Sequence, residues 1–311
     1  MNGPALPSRE AAQYEEFFGF VQSPFTLAPD PHFLYRSASH NDAIQLLIDA
    51  IQRRDGIAVL SGDIGTGKTT ICRTVLERLD HTVFTSLVLN PFVSADELIR
   101  AILLDFGVVS RETVRSGRIS SATTDNLVST LRAFLASLAS IGATGVLVID
   151  EAQHLSRQVL EQLYVLSNLE AHDTKLLQIV LVGQLNLLDL LERPDERQLD
   201  RRIALRAVLE PLDRVDVEAY VAHRIAVAMG GSSVTFDAAA LELVHRSSRG
   251  VPRVINLLCD RALTSAAHLG VSMITRDIAR GAAGSLGLPA HRLATRRWWR
   301  FFRWGWASAA L

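Results

Sequence analysis

The stretch Gly62-Asp63-Ile64-Gly65-Thr66-Gly67-Lys68-Thr69 constrains this chain more than any other. It satisfies the phosphate-binding loop pattern G-x-x-x-x-G-K-[ST] at every fixed position. The apolar run Ile57-Ala58-Val59-Leu60 leads into it as a strand would, and Thr70-Ile71-Cys72-Arg73-Thr74-Val75-Leu76 leads out as a helix would. In that setting the glycines let backbone N–H groups curl around a phosphate, and the helix points its positive dipole end at the same anion. Lys68 suits the β- and γ-phosphates, and the Thr69 hydroxyl suits Mg²⁺. Gly62, Asp63, Ile64, Gly65, Thr66, Gly67, Lys68, Thr69 and Thr70 are the expected nucleotide contacts. The competing explanation is a glycine-rich turn with a surface lysine, which leaves the flanking strand and helix unexplained.

The chain has 311 residues, enough for one large domain and a small one. Thirty-two basic residues against 33 acidic ones leave a net charge of −1, so no strongly basic surface for nucleic acid is expected, although a local basic patch is compatible with it. Two cysteines far apart, Cys72 and Cys259, suggest neither a disulfide framework nor a metal site, and a reducing cytosol is the default. Met1 to Glu10 lacks the apolar core of a signal peptide, and no run reaches bilayer-spanning length.

Alternation dominates the first two thirds. Strands are predicted at Ile57–Leu60, Val83–Leu89, Gly145–Ile149, Leu177–Val182 and Ala204–Leu209, each apolar or β-branched as in a buried parallel sheet. Helices are predicted between them: His40–Arg53, Leu98–Phe106 opened by a Ser94-x-x-Glu97 capping box, Leu127–Leu138 and Gln158–Leu169. The pattern predicts an α/β fold with helices on both faces of a parallel sheet. After Asp213 the strand signal disappears. Helices over Val215–Met229, Asp237–Arg246, Pro252–Leu269 and Thr275–Gly284 predict a small all-helical domain, with Asp237 and Thr275 as N-caps and Pro252 in a first turn. Before the alternation lies an aromatic and proline-rich arm, Tyr14–Pro31, whose prolines forbid a continuous helix. It is expected to pack irregularly on the nucleotide domain. The expected division is arm 1–40, phosphate-loop domain 41–211, helical lid 212–285 and tail 286–311.

Val146-Leu147-Val148-Ile149-Asp150-Glu151 is the second strong signal. An Asp at such a strand end holds Mg²⁺ in phosphate-loop ATPases, and a neighbouring Glu can polarise the attacking water. Asp150 is assigned to the metal and Glu151 to water activation; the alternative is a solvated acidic turn. Gln184 follows the strand Ile179–Gly183, where an amide suits γ-phosphate sensing, or else a helix cap or turn. Arg201 and Arg202 precede the fifth strand. A neighbouring subunit's guanidinium can stabilise charge on the transferring phosphoryl group; the alternative is a structural or solvated pair. Arg253, in Gly250-Val251-Pro252-Arg253, is placed to lean from the helical domain onto the γ-phosphate, or is a surface arginine.

The order of these motifs resembles the AAA+ ATPases, and more narrowly the general-secretion-pathway A (ExeA-like) ATPases and related transposition ATPases. The resemblance covers roughly Tyr14 to Gly284. It rests on Phe17-Phe18-Gly19-Phe20, Pro24–Pro31, Gly62–Thr70, Ile149-Asp150-Glu151-Ala152-Gln153, Leu181-Val182-Gly183-Gln184 and Gly250-Val251-Pro252-Arg253-Val254-Ile255-Asn256. It implies ATP as nucleotide, Gln184 at the sensor-1 position, Arg202 near the arginine finger and Arg253 at sensor 2. It also implies homo-oligomers, as a ring or dimer, and an envelope or secretion partner. Two departures stand out. The chain has Gly183-Gln184-Leu185-Asn186-Leu187 where the family usually has Gly-Gln-Pro-Glu-Leu, and Val251 where it often has Asn.

All four tryptophans, Trp298, Trp299, Trp304 and Trp306, lie in the tail beside Arg292, Arg296, Arg297, Arg300 and Arg303, with no acid after Asp277. Arg and Trp together suit a membrane interface. Phe301–Leu311 is too short to span, so the segment is either a peripheral foot or the start of a span. A partner-binding or disordered tail and single-stranded nucleic acid are the alternatives. The combined expectation is a cytoplasmic Mg²⁺-dependent ATPase, at the inner-membrane face if the tail docks there. The rivals are an ATP-dependent DNA-binding regulator of transposition and a scaffold that binds ATP without useful hydrolysis.

Overall fold

A computed structural model describes residues 9–110, 112, 122–171, 174–228 and 234–288. The tail residues 292–311, and with them the membrane-contact expectation, lie outside the described residues. Among the described residues nine strands occur: β1 (Ile57–Gly62), β2 (Val83–Val88), β3 (Thr144–Ile149), β4 (Glu170–Ala171), β5 (Thr174–Lys175), β6 (Leu177–Gly183), β7 (Ile203–Leu209), β8 (Thr235–Phe236) and β9 (Met273–Ile274). The helices are α1 (Arg9–Phe18), α2 (Ala38–Arg53), α3 (Lys68–Arg78), α4 (Ala95–Asp105), α5 (Thr124–Ser140), α6 (Arg157–Ser167), α7 (Asn186–Leu191), α8 (Arg197–Asp200), α9 (Arg214–Ala228), α10 (Ala238–Ser248), α11 (Pro252–Leu269) and α12 (Arg276–Ser285). None of these is both long and apolar enough to cross a membrane.

The main sheet is parallel, in the order β2-β3-β6-β1-β7. Every residue of β1 and β6 is buried, which explains their unbroken apolar runs. Side chains alternate between faces, so the parity of each strand sorts the core into two layers. Ile57, Val59, Leu147, Ile149, Ile179 and Leu181 pack with α4, α5 and α6. Ala58, Leu60, Val146, Val148, Val180 and Val182 pack with α2 and α3. The register aligns Ser61 with Gly183 and Ile149 with Leu181. The carboxyl ends of β1, β3 and β6 therefore open onto one edge, where α/β sheets hold their ligands.

Helix starts follow their caps. The Ser94 box forms in both directions, with Glu97 N–H on Ser94 Oγ at 3.3 Å and Ser94 N–H on Glu97 Oε2 at 2.7 Å. Ser37 caps α2 and moves its start two residues ahead of the predicted His40. Asp237 accepts the Ala240 N–H, whereas Thr275 occupies the N-cap position without a side-chain cap bond.

Two expectations need correction. The arm does not pack chiefly on the sheet. Tyr14, Phe18, Phe20, Phe25 and Phe33 join one core with α9, α10, α11 and α12. The arm buries its aromatic rings in that core, and Tyr14 Oη adds a polar tie by donating to Asp260 Oδ1 on α11 at 2.6 Å, with Ser23 Oγ also 2.6 Å away. Nor is the region after Asp213 free of strands, since β8 and β9 pair in parallel over two residues each.

Candidate nucleotide site

The loop after β1 turns at Gly65, whose φ of +81° favours glycine. Its bare Cα also admits the helical domain: an added Cβ would stand 2.6 Å from Arg253 Cβ. Gly67 caps α3 without a side-chain cap bond, leaving the first-turn N–H groups to face the cleft. Lys68 is 7% exposed. Its Nζ donates to the carbonyls of Gly62 at 3.0 Å and Asp63 at 2.9 Å. Burial pushes the Lys68 amine below its ordinary range, while the Glu151, Asp150 and Asp63 carboxylates pull the other way. Behind the loop, His40 Nε2 lies 3.1 Å from Thr66 O and its Nδ1 lies 2.7 Å from Ser37 Oγ. Burial lowers the His40 pKa, which favours a neutral ring whose Nε2–H donates to the loop carbonyl.

Thr69, in the first turn of α3, donates its hydroxyl to Asp150 Oδ2 at 2.7 Å. The other Asp150 oxygen accepts the Glu151 N–H at 2.9 Å. Glu151 itself sits at φ 53°, ψ 35°, a left-handed conformation that costs a non-glycine residue about 1–3 kcal/mol. This backbone bend lets two consecutive residues serve different places: Asp150 stays buried against Thr69, and Glu151 reaches the cleft. Gln153 joins the ends of β3 and β6, donating to Glu151 Oε2 at 2.6 Å and accepting the Gln184 N–H at 3.0 Å.

The helical domain closes the far wall. Arg253 N–H donates to Gly65 O at 3.2 Å, and Leu212 N–H donates to Gly250 O at 2.9 Å. The arm forms a third wall. Arg224, 6% exposed, donates to Pro24 O at 2.6 Å and Thr26 O at 3.1 Å and lies 4.4 Å from the Phe33 ring centroid. Together these walls enclose a cleft of about 210 Å³.

An AAA domain matches residues 51–191 of this chain. The chain carries an AAA domain. General secretion pathway protein A of Aeromonas hydrophila is 38% identical over 281 residues, covering 90% of this chain and 48% of that protein. The chain thus spans about half the length of that relative. The Aeropyrum pernix ORC2 protein, in its ADPNP–ADP complexes, superposes with a TM-score of 0.64 at 17% identity, over 85% of this chain and 71% of that one. The Thermotoga maritima RuvB Holliday junction branch migration motor gives 0.54 at 21% identity, over 82% and 71%. At such identities these structures speak to the fold alone.

Around this cleft Ile64, Gly65, Thr66, Gly67, Lys68, Thr69, Thr70, Glu151, Gln184 and Arg253 all contribute to the lining. Gly62 and Asp63 stand behind it as acceptors for Lys68. Arg201 and Arg202 are not on it. Arg202 is exposed, with Nη1 3.9 Å from Glu170 Oε1. The donor set suits a hydrated divalent cation: a hydroxyl and a carboxylate already meet at 2.7 Å beside a basic phosphate loop. His40, Gln153 and Arg224 escaped the sequence reading. His40 shares its helical stripe with Ile44, Leu47 and Ile51, and a polar ring on an apolar stripe was the available signal.

Proposed function

We propose that this chain hydrolyses ATP with Mg²⁺ and works as an oligomer whose nucleotide state drives a secretion or envelope-assembly partner. The observation that carries the chemistry is the convergence of Lys68, Thr69, Glu151 and Arg253 on one cleft, with Asp150 bonded directly behind Thr69. Lys68 would exchange its two carbonyl partners for β- and γ-phosphate oxygens, an exchange made easier because its charge is already partly desolvated. Thr69 and Asp150 would hold Mg²⁺, which would offset phosphate charge. Glu151 takes the proton of the attacking water. Gln184, directly after β6, would contact the γ-phosphate. Arg253, on the helical domain, would contact it too, so loss of the γ-phosphate would change how the lid sits on the loop. Arg202, which is exposed and not part of its own cleft, suits a neighbouring subunit's site, and a ring or dimer would supply it.

The secretion assignment is supported by the relative's name and by 38% identity, over half of that protein's length. A cytoplasmic position at the inner-membrane face, through the Arg/Trp tail, completes the proposal. Three measurements test it. Calorimetry with Mg·ATP and Mg·GTP should give binding heat, and Glu151→Gln should bind ATP while losing turnover by about 10²-fold or more. Folded protein without binding heat, or near-normal turnover of the Gln variant, overturns the reading. For the tail, liposome flotation should require residues 292–311; equal flotation without them removes membrane contact.

A further inference from the structure

Gln153 is absent from the cleft wall, yet its carboxamide bridges two groups that face it. Nε2–H donates to Glu151 Oε2 at 2.6 Å, and Oε1 accepts the Gln184 N–H at 3.0 Å. Three independent features converge on this bridge. Glu151 is held in a left-handed conformation. The residue ahead of Gln184 is Gly183, where an added Cβ would stand 2.6 Å from Gln153 Oε1. The 3₁₀ turn that carries Gln153 is fixed by fully buried Ala152 and by the His154 N–H on Glu151 O at 3.0 Å. A base needs one carboxylate oxygen free and aimed, and the bond to Oε2 leaves Oε1 available. The bridge also needs a donor at one end and an acceptor at the other with no net charge, a combination that an amide supplies and that Glu or Lys lacks.

We infer that Gln153 is a positioning residue that fixes the Glu151 carboxylate against the end of β6, so that the base and the Gln184 backbone move as one body. The inference rests on the reading of Glu151 as the base. Its consequence is a split: turnover depends on Gln153, and nucleotide affinity does not.

The test uses the full chain with three substitutions and three readouts: calorimetric Kd for Mg·ATP, steady-state kcat, and hydrogen exchange of the Gln184 amide without nucleotide. Gln153→Ala should lower kcat about tenfold or more with Kd within about twofold, because an unsteered base loses part of its contribution. The Gln184 amide should exchange about tenfold faster, having lost its acceptor. Gln153→Glu keeps that acceptor but sets a second carboxylate against Glu151. It should leave the Gln184 amide protected and still lose kcat. Gly183→Ala should push the carboxamide aside, and its effect on kcat should be less than additive with Gln153→Ala. Wild-type kcat in Gln153→Ala, an unchanged Gln184 amide, or equal losses in kcat and affinity would each overturn the inference. If Glu151→Gln turns over normally, or the unsubstituted chain does not turn over, the base assignment has failed and this role falls with it; the amide exchange still reports whether the contact exists.

Discussion

Gly250→Ala is the sharpest structural test of how the turn ahead of α11 packs against Leu212, where the chain enters the helical domain. Gly250 has φ +74°, and an added Cβ would lie 1.9 Å from Leu212 O, 2.9 Å from Leu212 C and 3.0 Å from Leu212 N. Backbone cannot step aside as a side-chain tip can. The left-handed conformation alone costs alanine about 1–2 kcal/mol. Displacing a packed backbone segment costs about 1–3 kcal/mol by analogy with overpacked cores. Breaking the Leu212 N–H bond to Gly250 O costs about 1 kcal/mol more. A total loss of about 3–6 kcal/mol is expected, a large share of the roughly 5–15 kcal/mol that holds a protein folded. Urea unfolding followed by circular dichroism reads this as a lowered midpoint. Hydrogen exchange at the Leu212 amide reads it locally. Arg249→Gly is the internal control. Arg249 holds φ 54° without being glycine, so glycine there should leave stability unchanged or raise it by up to about 1 kcal/mol. A Gly250→Ala protein with wild-type midpoint and a protected Leu212 amide would refute this packing of the turn on Leu212.

Lys68→Ala should abolish or severely weaken nucleotide binding in calorimetry, and unchanged affinity would count against the phosphate-loop assignment. Arg202→Ala should keep ATP affinity and lose turnover; mixing with Lys68→Ala subunits should restore activity if the arginine acts in trans, and a fully active Arg202→Ala would exclude the role. Arg224→Met should destabilise the chain by about 3 kcal/mol or more, since two carbonyls and a ring lose a buried cation; limited proteolysis should then cut the arm first, and an equally resistant arm would argue against the clamp. Burial raises the Asp260 carboxyl above its ordinary range, with the Tyr14 bond and Arg261 opposing. The folded state therefore binds this proton more tightly than the unfolded one, and the ionised group lowers stability above its folded pKa. Asp260→Asn should be more stable than wild type at pH 7, with the gap closing as the pH falls toward about 4; a gap of the opposite sign would show that the ionised Tyr14–Asp260 bond outweighs burial.

Much of the site was legible because its chemistry is local. The phosphate loop lies within eight consecutive residues, and Asp150 and Glu151 directly follow an apolar run that must be a buried strand. Parallel strands announce themselves when both faces are covered, as in β1 and β6; β7, with Ala204, Arg206 and Val208 exposed, was visible more through its alternation. What escaped depends on distance or brevity. The hairpin β4–β5 is two residues a side, and without it no one would pair Arg202 with Glu170. Gln153 has no periodicity to betray it; only the 3₁₀ turn brings its amide within reach of β6. The arm's destination was hidden because Tyr14 finds Asp260 across 246 residues, and the proline content spoke of irregularity without naming a partner.

That long-range contact has a consequence for biosynthesis. The aromatic residues of the arm leave the ribosome well before their partners, because Asp260 and the rest of α11 follow the whole sheet. The sheet and its flanking helices can condense earlier, while Tyr14, Phe18 and Phe25 wait as exposed apolar surface. A nascent chain cut short before α11 would therefore display the arm as sticky apolar surface, a natural target for chaperones. Bulk placed beside Tyr14 would interfere with a late step of maturation rather than an early one.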